Sequence, residues 1–250
     1  MNVVHYPFTQ RSQMKFKNIF FGFLKTLLLT VVFYIGLLCA TEYMTFDLQN
    51  YQPTANSPPP YFFQRDPATG NLARLTDTEG SFQFKTYNLQ LKADLAQYKI
   101  EVEPTLLRWK EKIIPLEKDS DYSSFFSGDL VDKVEEQSSK SPPPKEVHVA
   151  TYEDRIEAVS YVDNANPRTP EIDILTANPE GMRIGQTTNV KGAGSALLDY
   201  ELKIFKGRGA RGVQLLSIRD QYYLDRGWKI EPNYQIEVED FNDQGACGGE

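Results

Sequence analysis

The sequence is poor in the residues that most often carry metal and relay chemistry. Its 250 residues include two cysteines, Cys39 and Cys247, and two histidines, His5 and His148. Two cysteines cannot build a disulfide framework, and neither pair has the spacing of metal ligands. The composition therefore argues against a disulfide-rich scaffold, a histidine-based zinc cluster and a Ser-His-Asp relay.

A single long hydrophobic run stands near the amino terminus. From Ile19 to Ala40 the sequence is mostly apolar, and Lys25 is the charged residue within it. This is about the length that crosses a bilayer core, and Lys25 lies close enough to the start to extend toward the headgroups. We therefore predict an amino-terminal tail over residues 1–18 and one transmembrane helix over residues 19–40, as in a single-pass membrane protein.

A cleaved signal peptide is the competing interpretation of this run. Leu37, Leu38 and Cys39 occupy the place where a small-x-small cleavage site would lie, so an uncleaved anchor is favoured. The basic residues stand before or early in the run and acidic residues follow it. By the positive-inside rule this pattern puts the carboxyl-terminal part outside the cytoplasm.

Positive charge is scarce after the anchor. Beyond residue 50 the chain has 23 lysines and arginines against 32 aspartates and glutamates, a net charge of −9. Binding to a phosphate backbone needs the opposite sign, so a nucleic-acid partner is disfavoured. A cationic amine would be compatible with this charge, and acidity is also an ordinary route to solubility.

The remaining chain divides into an arm and a domain. Residues 41–90 are predicted as a linker and irregular arm, in which the proline-rich stretch 52–60 would lift the domain off the bilayer. Residues 91–245 are predicted as one α+β domain with a mixed sheet. Strands are expected at 98–102, 146–154, 156–164, 170–181, 212–218 and 228–240, and helices within 103–118, 123–139, 194–206 and 219–227.

Two glycines stand at the start of the most amphipathic predicted helix. Gly192 and Gly194 are poor helix formers, placed where a simple cap would need one Ser, Asn or Asp. Glycines let backbone N–H groups approach a ligand closely, and the start of a helix attracts an anion such as a pyrophosphate. A tight turn explains the same pattern. From the residues alone, both interpretations stay open.

The segment Asn189-Val190-Lys191-Gly192-Ala193-Gly194 resembles the acetyl-CoA-binding motif of the GNAT superfamily of N-acetyltransferases. In that motif an Arg or Gln, two residues, a Gly, any residue and a Gly or Ala follow the fourth strand. Tyr222, Tyr223, Gly227 and Trp228 are similar to the family's aromatic-Tyr-x-x-x-Gly-aromatic pattern. The resemblance covers residues 98–240, although its specific motifs lie within 189–228. Asn189 departs from the usual Arg or Gln, and the loop before it is longer than the family's.

The resemblance implies a GNAT-like fold, acetyl-CoA as co-substrate and an amine acceptor, either a small molecule or a protein lysine or amino terminus. Backbone amides of residues 190–195 would bind the pyrophosphate, and the fourth strand would expose its backbone to the pantetheine arm. The implied cofactor-binding residues are Thr176, Ala177, Asn189, Val190, Lys191, Gly192, Ala193, Gly194 and Ser195.

The resemblance also suggests catalytic residues. Tyr223 matches the family tyrosine that protonates the leaving thiolate, although a tyrosine packed on a short helix would look the same. Asp173 is the candidate base, with Glu171 on the same strand face. Glu153 and Asp154 are reserve candidates. Solvent-facing polar side chains would give the same pattern.

Three functions are compatible with these features. The leading hypothesis is a membrane-anchored N-acetyltransferase. The alternatives are a non-catalytic GNAT-like domain that acts as a membrane-tethered binding or interaction module, and an extracytoplasmic structural protein whose glycines shape turns. Acetyl-CoA is a cytosolic metabolite whereas the charge bias places the domain outside, so the topology stays open.

Overall fold

The structure is a computed structural model that describes residues 42–52, 60–66, 68–112, 117–137 and 144–231. The predicted tail and membrane span, residues 1–18 and 19–40, lie outside the described residues, as does most of the last predicted strand. Within these described ranges, no helix is both long and apolar enough for a membrane span.

Nine strands form two sheets in the described part of the chain. The strands are β1 Glu42–Asp47, β2 Tyr61–Arg65, β3 Leu72–Thr76, β4 Gln83–Asn88, β5 Lys145–Tyr152, β6 Arg155–Asp163, β7 Glu171–Ala177, β8 Gly212–Ser217 and β9 Lys229–Ile230. The main sheet has the order β4-β5-β6-β7-β8-β1-β9, and β2 pairs with β3 in a separate hairpin. Among these described strands, β7 and β8 are the one parallel pair.

Helices cover both faces of the main sheet. They are α1 Lys92–Glu101, α2 Glu103–Lys110, α3 Lys118–Gln137, α4 Pro179–Met182, α5 Ala193–Gly207 and α6 Asp220–Leu224, and Leu48–Asn50 form a short 3-10 turn. The helices α1 to α3 share a core with Val147 and Val149, whereas α5 buries Leu198 and Leu202 against β1, β7 and β8 on the other face. The predicted α+β class with a mixed sheet flanked by helices is confirmed.

The strand predicted at residues 98–102 is wrong, because residues 98–101 belong to α1 and Val102 is the C-cap of that helix. Tyr98, Val102 and Leu106 are all fully buried and stand four residues apart, which is the spacing of one helix face. Apolar and polar residues also alternate over this short stretch, and five residues are too few to distinguish the helical period from the strand period. The first strand of this part of the sheet is instead β4, within the segment predicted as an arm.

The boundary drawn for the linker, residues 41–90, is also wrong. Strand β1 lies inside the main sheet, antiparallel to both β8 and β9. Tyr43 and Met44 are adjacent and both buried, as in a strand whose two faces are covered. In the chain, the proline-rich stretch 52–60 therefore stands between β1 and β2 and not before the first strand, and its residues 53–59 lie outside the described residues.

Candidate active site

A cavity opens where the two parallel strands separate. Strands β7 and β8 pair at Glu171 with Gln214 and at Ile172 with Leu215, and their later residues do not pair. The gap holds a cavity of about 330 Å³, bounded by the ends of both strands, by α3, by α6 and by the loop before α5. A volume of this size suits one arm of an extended ligand.

The amino terminus of α5 opens into this cavity. The first helical hydrogen bond runs from the Ala196 N–H to the Gly192 carbonyl at 2.9 Å, so the amides of Ala193, Gly194 and Ser195 have no partner within the helix. Gly192 occupies the N-cap position and offers no side-chain cap. The four residues from Gly192 to Ser195 line the cavity. The loop thus presents backbone donors and the positive end of a helix dipole, which favour an anion.

The two glycines of the loop have different structural roles. Gly192 has a φ of 90°, and a Cβ there would come within 3.1 Å of Pro60 Cα, so the fold itself requires glycine at this position. Gly194 has no positive φ, and a Cβ there would meet Ala177 Cβ at 3.9 Å, an ordinary contact. Since helices disfavour glycine, the fold supplies no reason for Gly194. Its effect is to keep the cavity wall open in front of the amides.

The cavity brings together the predicted cofactor-binding residues except Asn189. Asn189 is not among the lining residues, and its N–H donates to Gln186 Oε1 at 2.9 Å. The amide of Lys191, predicted as a pyrophosphate donor, is already used, because it donates to the Tyr61 carbonyl at 2.7 Å. Of the predicted amide donors, residues 190–195, the Lys191 amide is therefore unavailable, and Asn189, a predicted cofactor-binding residue outside that set of amides, does not line the cavity.

The carboxyl end of β7 is partly satisfied by α3. The Ser123 hydroxyl donates to the Ala177 carbonyl and lies 3.0 Å from the Thr176 hydroxyl, which in turn donates to the Ser123 carbonyl at 3.0 Å. The Thr176 side chain is buried. Any contact that these two residues make with a ligand would therefore come from main-chain atoms that the serine leaves available.

Asp173 lines the cavity as half of an ion pair. Lys133 Nζ, from α3, lies 3.2 and 3.0 Å from its two carboxylate oxygens. Burial lowers the pKa of Lys133, but the attraction of Asp173 outweighs burial, and the net effect is a raised pKa of Lys133. Glu171, Glu153 and Asp154 are not among the residues that line the cavity. Both carboxylate oxygens of Asp173 contact Lys133, so Asp173 would have to leave this ion pair before it could accept a proton from an amine.

Glu157 is a cavity carboxylate that the sequence analysis did not select. It lies on β6, is 2% exposed, and lines the cavity beside Asn178. Burial raises the pKa of Glu157, although the Asn178 amide, which donates to Oε2 at 3.1 Å, and Arg155 work in the opposite direction. A buried carboxylate with a raised pKa at a cavity wall is a candidate general base. Its signal in the sequence is a lone acidic residue in the apolar strand IEAVSYV.

Two tyrosines from α6 complete the wall opposite β7. The Tyr222 hydroxyl lies 2.6 Å from the Ser195 hydroxyl at the start of α5, and Arg226 stacks on the Tyr222 ring at 3.6 Å. Tyr223 packs against Tyr222 and against the buried Trp228, with ring centroids 5.0 and 5.4 Å apart. Burial raises the pKa of the Tyr223 hydroxyl, which keeps it protonated and able to donate.

An ion pair joins the two sides of the cavity. Asp119, near the start of α3, pairs with Arg219, which follows β8, and both residues line the cavity. Within the described ranges, no group of three or more His, Cys, Asp or Glu side chains is arranged to hold a metal ion. The polar groups that line the cavity include backbone amides, three buried or paired carboxylates, tyrosine hydroxyls, one lysine and one arginine.

Comparison with known proteins gives distant structural neighbours. No protein-family model and no curated protein matches the chain. The solved structures that resemble it include a DUF2156 domain from Agrobacterium fabrum, the C-terminal domain of a protein described as a lysylphosphatidylglycerol synthetase, with 11% identity and a TM-score of 0.38. A tandem GNAT protein from the clavulanic acid biosynthesis pathway has 12% identity and a TM-score of 0.38. A functionally unknown protein from Staphylococcus epidermidis has 11% identity and a TM-score of 0.40.

These matches cover 74% to 76% of the chain, and the chain spans 50% to 57% of the solved chains. At these scores the likenesses assign neither an activity nor a ligand.

Proposed function

We propose that this protein is a membrane-anchored acyltransferase that moves an acetyl group from acetyl-CoA to an amine. The observation that carries the proposal is the open helix terminus at Gly194. Free amides face a cavity between two separated strands, and a glycine stands there without any requirement from the fold. Such a terminus suits the pyrophosphate of a nucleotide, and the cavity between the strands suits the narrow arm that follows it.

The residues that would hold the co-substrate can be named. The amides of Ala193, Gly194 and Ser195 would bind phosphate oxygens, and Arg219 could add a positive charge if it left Asp119. The apolar walls of the gap, including Leu175 and Leu215, would exclude water from the thioester end. Acetyl-CoA would supply an acetyl group activated as a thioester.

The transfer requires one proton acceptor and one proton donor. The amine nitrogen would bond to the carbonyl carbon while the carbon–sulfur bond breaks. Glu157 would take the proton that the amine loses, and Tyr223 would give a proton to the leaving thiolate. Solvent would then return a proton from Glu157 to Tyr223, so that protons and charge balance over one turnover. Asp173, the base suggested by the sequence, would serve only after release from Lys133.

A non-catalytic binding module is the second candidate. It is favoured by the hydrogen bond from Ser123 that already satisfies the Ala177 carbonyl and by the ion pairs of Asp173 and Arg219. Each of these contacts would have to open for the transfer geometry to form. A site that binds CoA without turnover would have no need to open them.

Calorimetry of the full chain in detergent micelles tests the proposal, with acetyl-CoA as titrant. We expect Gly194→Glu to abolish binding, because the carboxylate would occupy the cavity wall and repel phosphate. Gly207→Glu is the matched control, since it places the same charge at the other end of α5, where nothing lies within 4 Å of the new Cβ.

Three results are possible. Binding by the wild type and the control, but not by Gly194→Glu, supports the phosphate site, and acetyl transfer to a panel of amines then separates an enzyme from a binding module. Equal binding by all three proteins would show that the ligand sits elsewhere. Absence of binding by the wild type would withdraw the acetyl-CoA proposal.

A further inference from the structure

The chain enters the domain at the end of the sheet that holds the cavity. Strand β1 begins at Glu42, which pairs with Ser217 at the carboxyl end of β8, and Ser217, Ile218 and Arg219 line the cavity. The predicted membrane span ends at residue 40. In the chain, one residue separates the predicted span from Glu42, the first residue of β1.

The rim of the cavity carries exposed apolar side chains. Met182, Leu216 and Ile218 all line the cavity and are all exposed at their outer surface. Ile184, two residues beyond Met182, is 84% exposed, the highest value among the large hydrophobic side chains of the described residues. Apolar side chains grouped around a cavity mouth mark a binding surface rather than a solvated one.

The loop at Ile184 also has the composition of a segment that enters a membrane interface. Arg183 is exposed between Met182 and Ile184, and a long basic side chain can keep its charge in the headgroups while its neighbours lie deeper. Gly185 has a φ of 71°, which turns the chain sharply after the isoleucine. The turn leaves Ile184 at the tip of the loop.

We propose that this rim, formed by Met182, Ile184, Leu216 and Ile218, inserts into the bilayer interface, and that the acceptor amine belongs to a membrane lipid. The proposal rests on the proposed acyltransferase function and names its acceptor class. A lipid whose tails remain in the bilayer would present its headgroup amine to the cavity mouth, toward Glu157 on the cavity wall. The product would be an N-acetylated lipid and free CoA, with the proton transfers described above.

Insertion of the rim can be measured without any activity. The full chain carrying Cys39→Ser and Cys247→Ser is placed in phosphatidylcholine nanodiscs with brominated acyl chains, and a fluorophore is attached at Ile184→Cys. Ile100→Cys is the matched control, because Ile100 is 77% exposed but lies on α1. We expect at least twofold quenching at position 184 and none at position 100. Equal quenching at both positions, or none at position 184, would overturn the insertion.

The acceptor class needs a second measurement. Acetyl transfer from acetyl-CoA is compared between phosphatidylethanolamine in nanodiscs and water-soluble glycerophosphoethanolamine, which carries the same headgroup. We expect Ile184→Asp to lower transfer to the lipid at least tenfold and to leave transfer to the soluble amine within twofold. Ile100→Asp should change neither rate by more than twofold.

The outcomes separate this inference from the proposed function. Transfer to the soluble amine without transfer to the lipid would overturn the lipid acceptor while leaving an acyltransferase. Absence of transfer to any amine, with quenching at position 184 intact, would refute the transferase and leave the membrane-inserted rim. An Ile184→Asp variant with full activity on the lipid would show that the rim does not deliver the acceptor.

Discussion

Glu201 provides a quantitative test of the packing between α5 and the sheet. Its side chain is fully buried, the Ser160 hydroxyl donates to Oε1, and Oε2 has no hydrogen-bond partner among the described residues. Burial raises the pKa of Glu201 to about 7 from 4.5. His148 and the Ser160 hydroxyl oppose this increase, whereas Glu146 adds to it. The native state therefore favours the protonated carboxyl.

The sign and size of the effect on stability follow by linkage. A group whose pKa is raised on folding stabilises the native state fully below its unfolded pKa, and this contribution is lost as the pH rises through the native pKa. The interval from 4.5 to about 7 corresponds to about 3 kcal/mol. The free energy of unfolding should fall by roughly that amount between pH 4.5 and a pH above 7. In Glu201→Gln the side chain cannot ionise, so this decline should be absent.

Urea unfolding of the full chain in detergent micelles at pH 5, 6, 7 and 8 measures the decline. The fluorescence of Trp109 and Trp228 reports the transition, since both are buried. Glu101→Gln is the control, because the hydrogen bond from Lys85 keeps the pKa of Glu101 at about 2, below the tested range, so this variant should retain the wild-type slope. Parallel curves for the wild type and Glu201→Gln would refute the account of Glu201.

Three further predictions concern the cavity. Glu157→Gln should lower acetyl transfer about 100-fold with acetyl-CoA binding unchanged, and should remove the loss of rate that the wild type shows as the pH falls through the raised pKa of Glu157. Asp173→Asn should lower the rate of transfer by a smaller factor, and a larger loss in Asp173→Asn than in Glu157→Gln in steady-state kinetics would make Asp173 the base. Gly192→Ala should destabilise the domain by about 1–2 kcal/mol in urea unfolding, because Gly192 has a positive φ. Gly194→Ala should stabilise the domain by up to about 1 kcal/mol and weaken acetyl-CoA binding in calorimetry. Equal effects of the two variants on stability would contradict the separate roles of the two glycines. Tyr223→Phe should lower turnover about 100-fold without changing acetyl-CoA binding. Tyr222→Phe is the comparison, and a larger loss of turnover in that variant would make Tyr222 the proton donor.

Local patterns predicted the elements that carry their own periodicity. The strands at Lys145–Tyr152, Arg155–Asp163 and Glu171–Ala177 and the helix at Ala193–Gly207 differ from the predicted bounds by a few residues. These elements are long enough, or alternate strictly enough, to distinguish the helical period from the strand period. Strand 98–102 failed because five residues could not distinguish a strand from one face of a helix.

The candidate site was predicted in part. The glycine-rich loop was selected for its composition, and its residues from Val190 to Ser195 do line one cavity. Glu157 was missed because its importance comes from burial beside Asn178, which lies 21 positions away in the sequence. The hydrogen bond from the Lys191 amide to Tyr61 could not be predicted either, because it depends on the β2–β3 hairpin, which was predicted as an irregular arm.

The sequence by itself determined the α+β class, the scarcity of metal-binding residues and the glycine-rich start of a helix, because each depends on composition or on neighbouring residues. The membrane span stays a prediction from the same kind of local pattern. Only the tertiary structure decided that β1 lies between β8 and β9, that β7 and β8 separate beyond Ile172, and that Glu157, Asp173 and the tyrosines of α6 meet around one cavity. Strand pairing and burial join residues that are far apart in the chain, so no local pattern contains them. The placement of the chain entry at the cavity mouth follows from the same long-range pairing of Glu42 with Ser217.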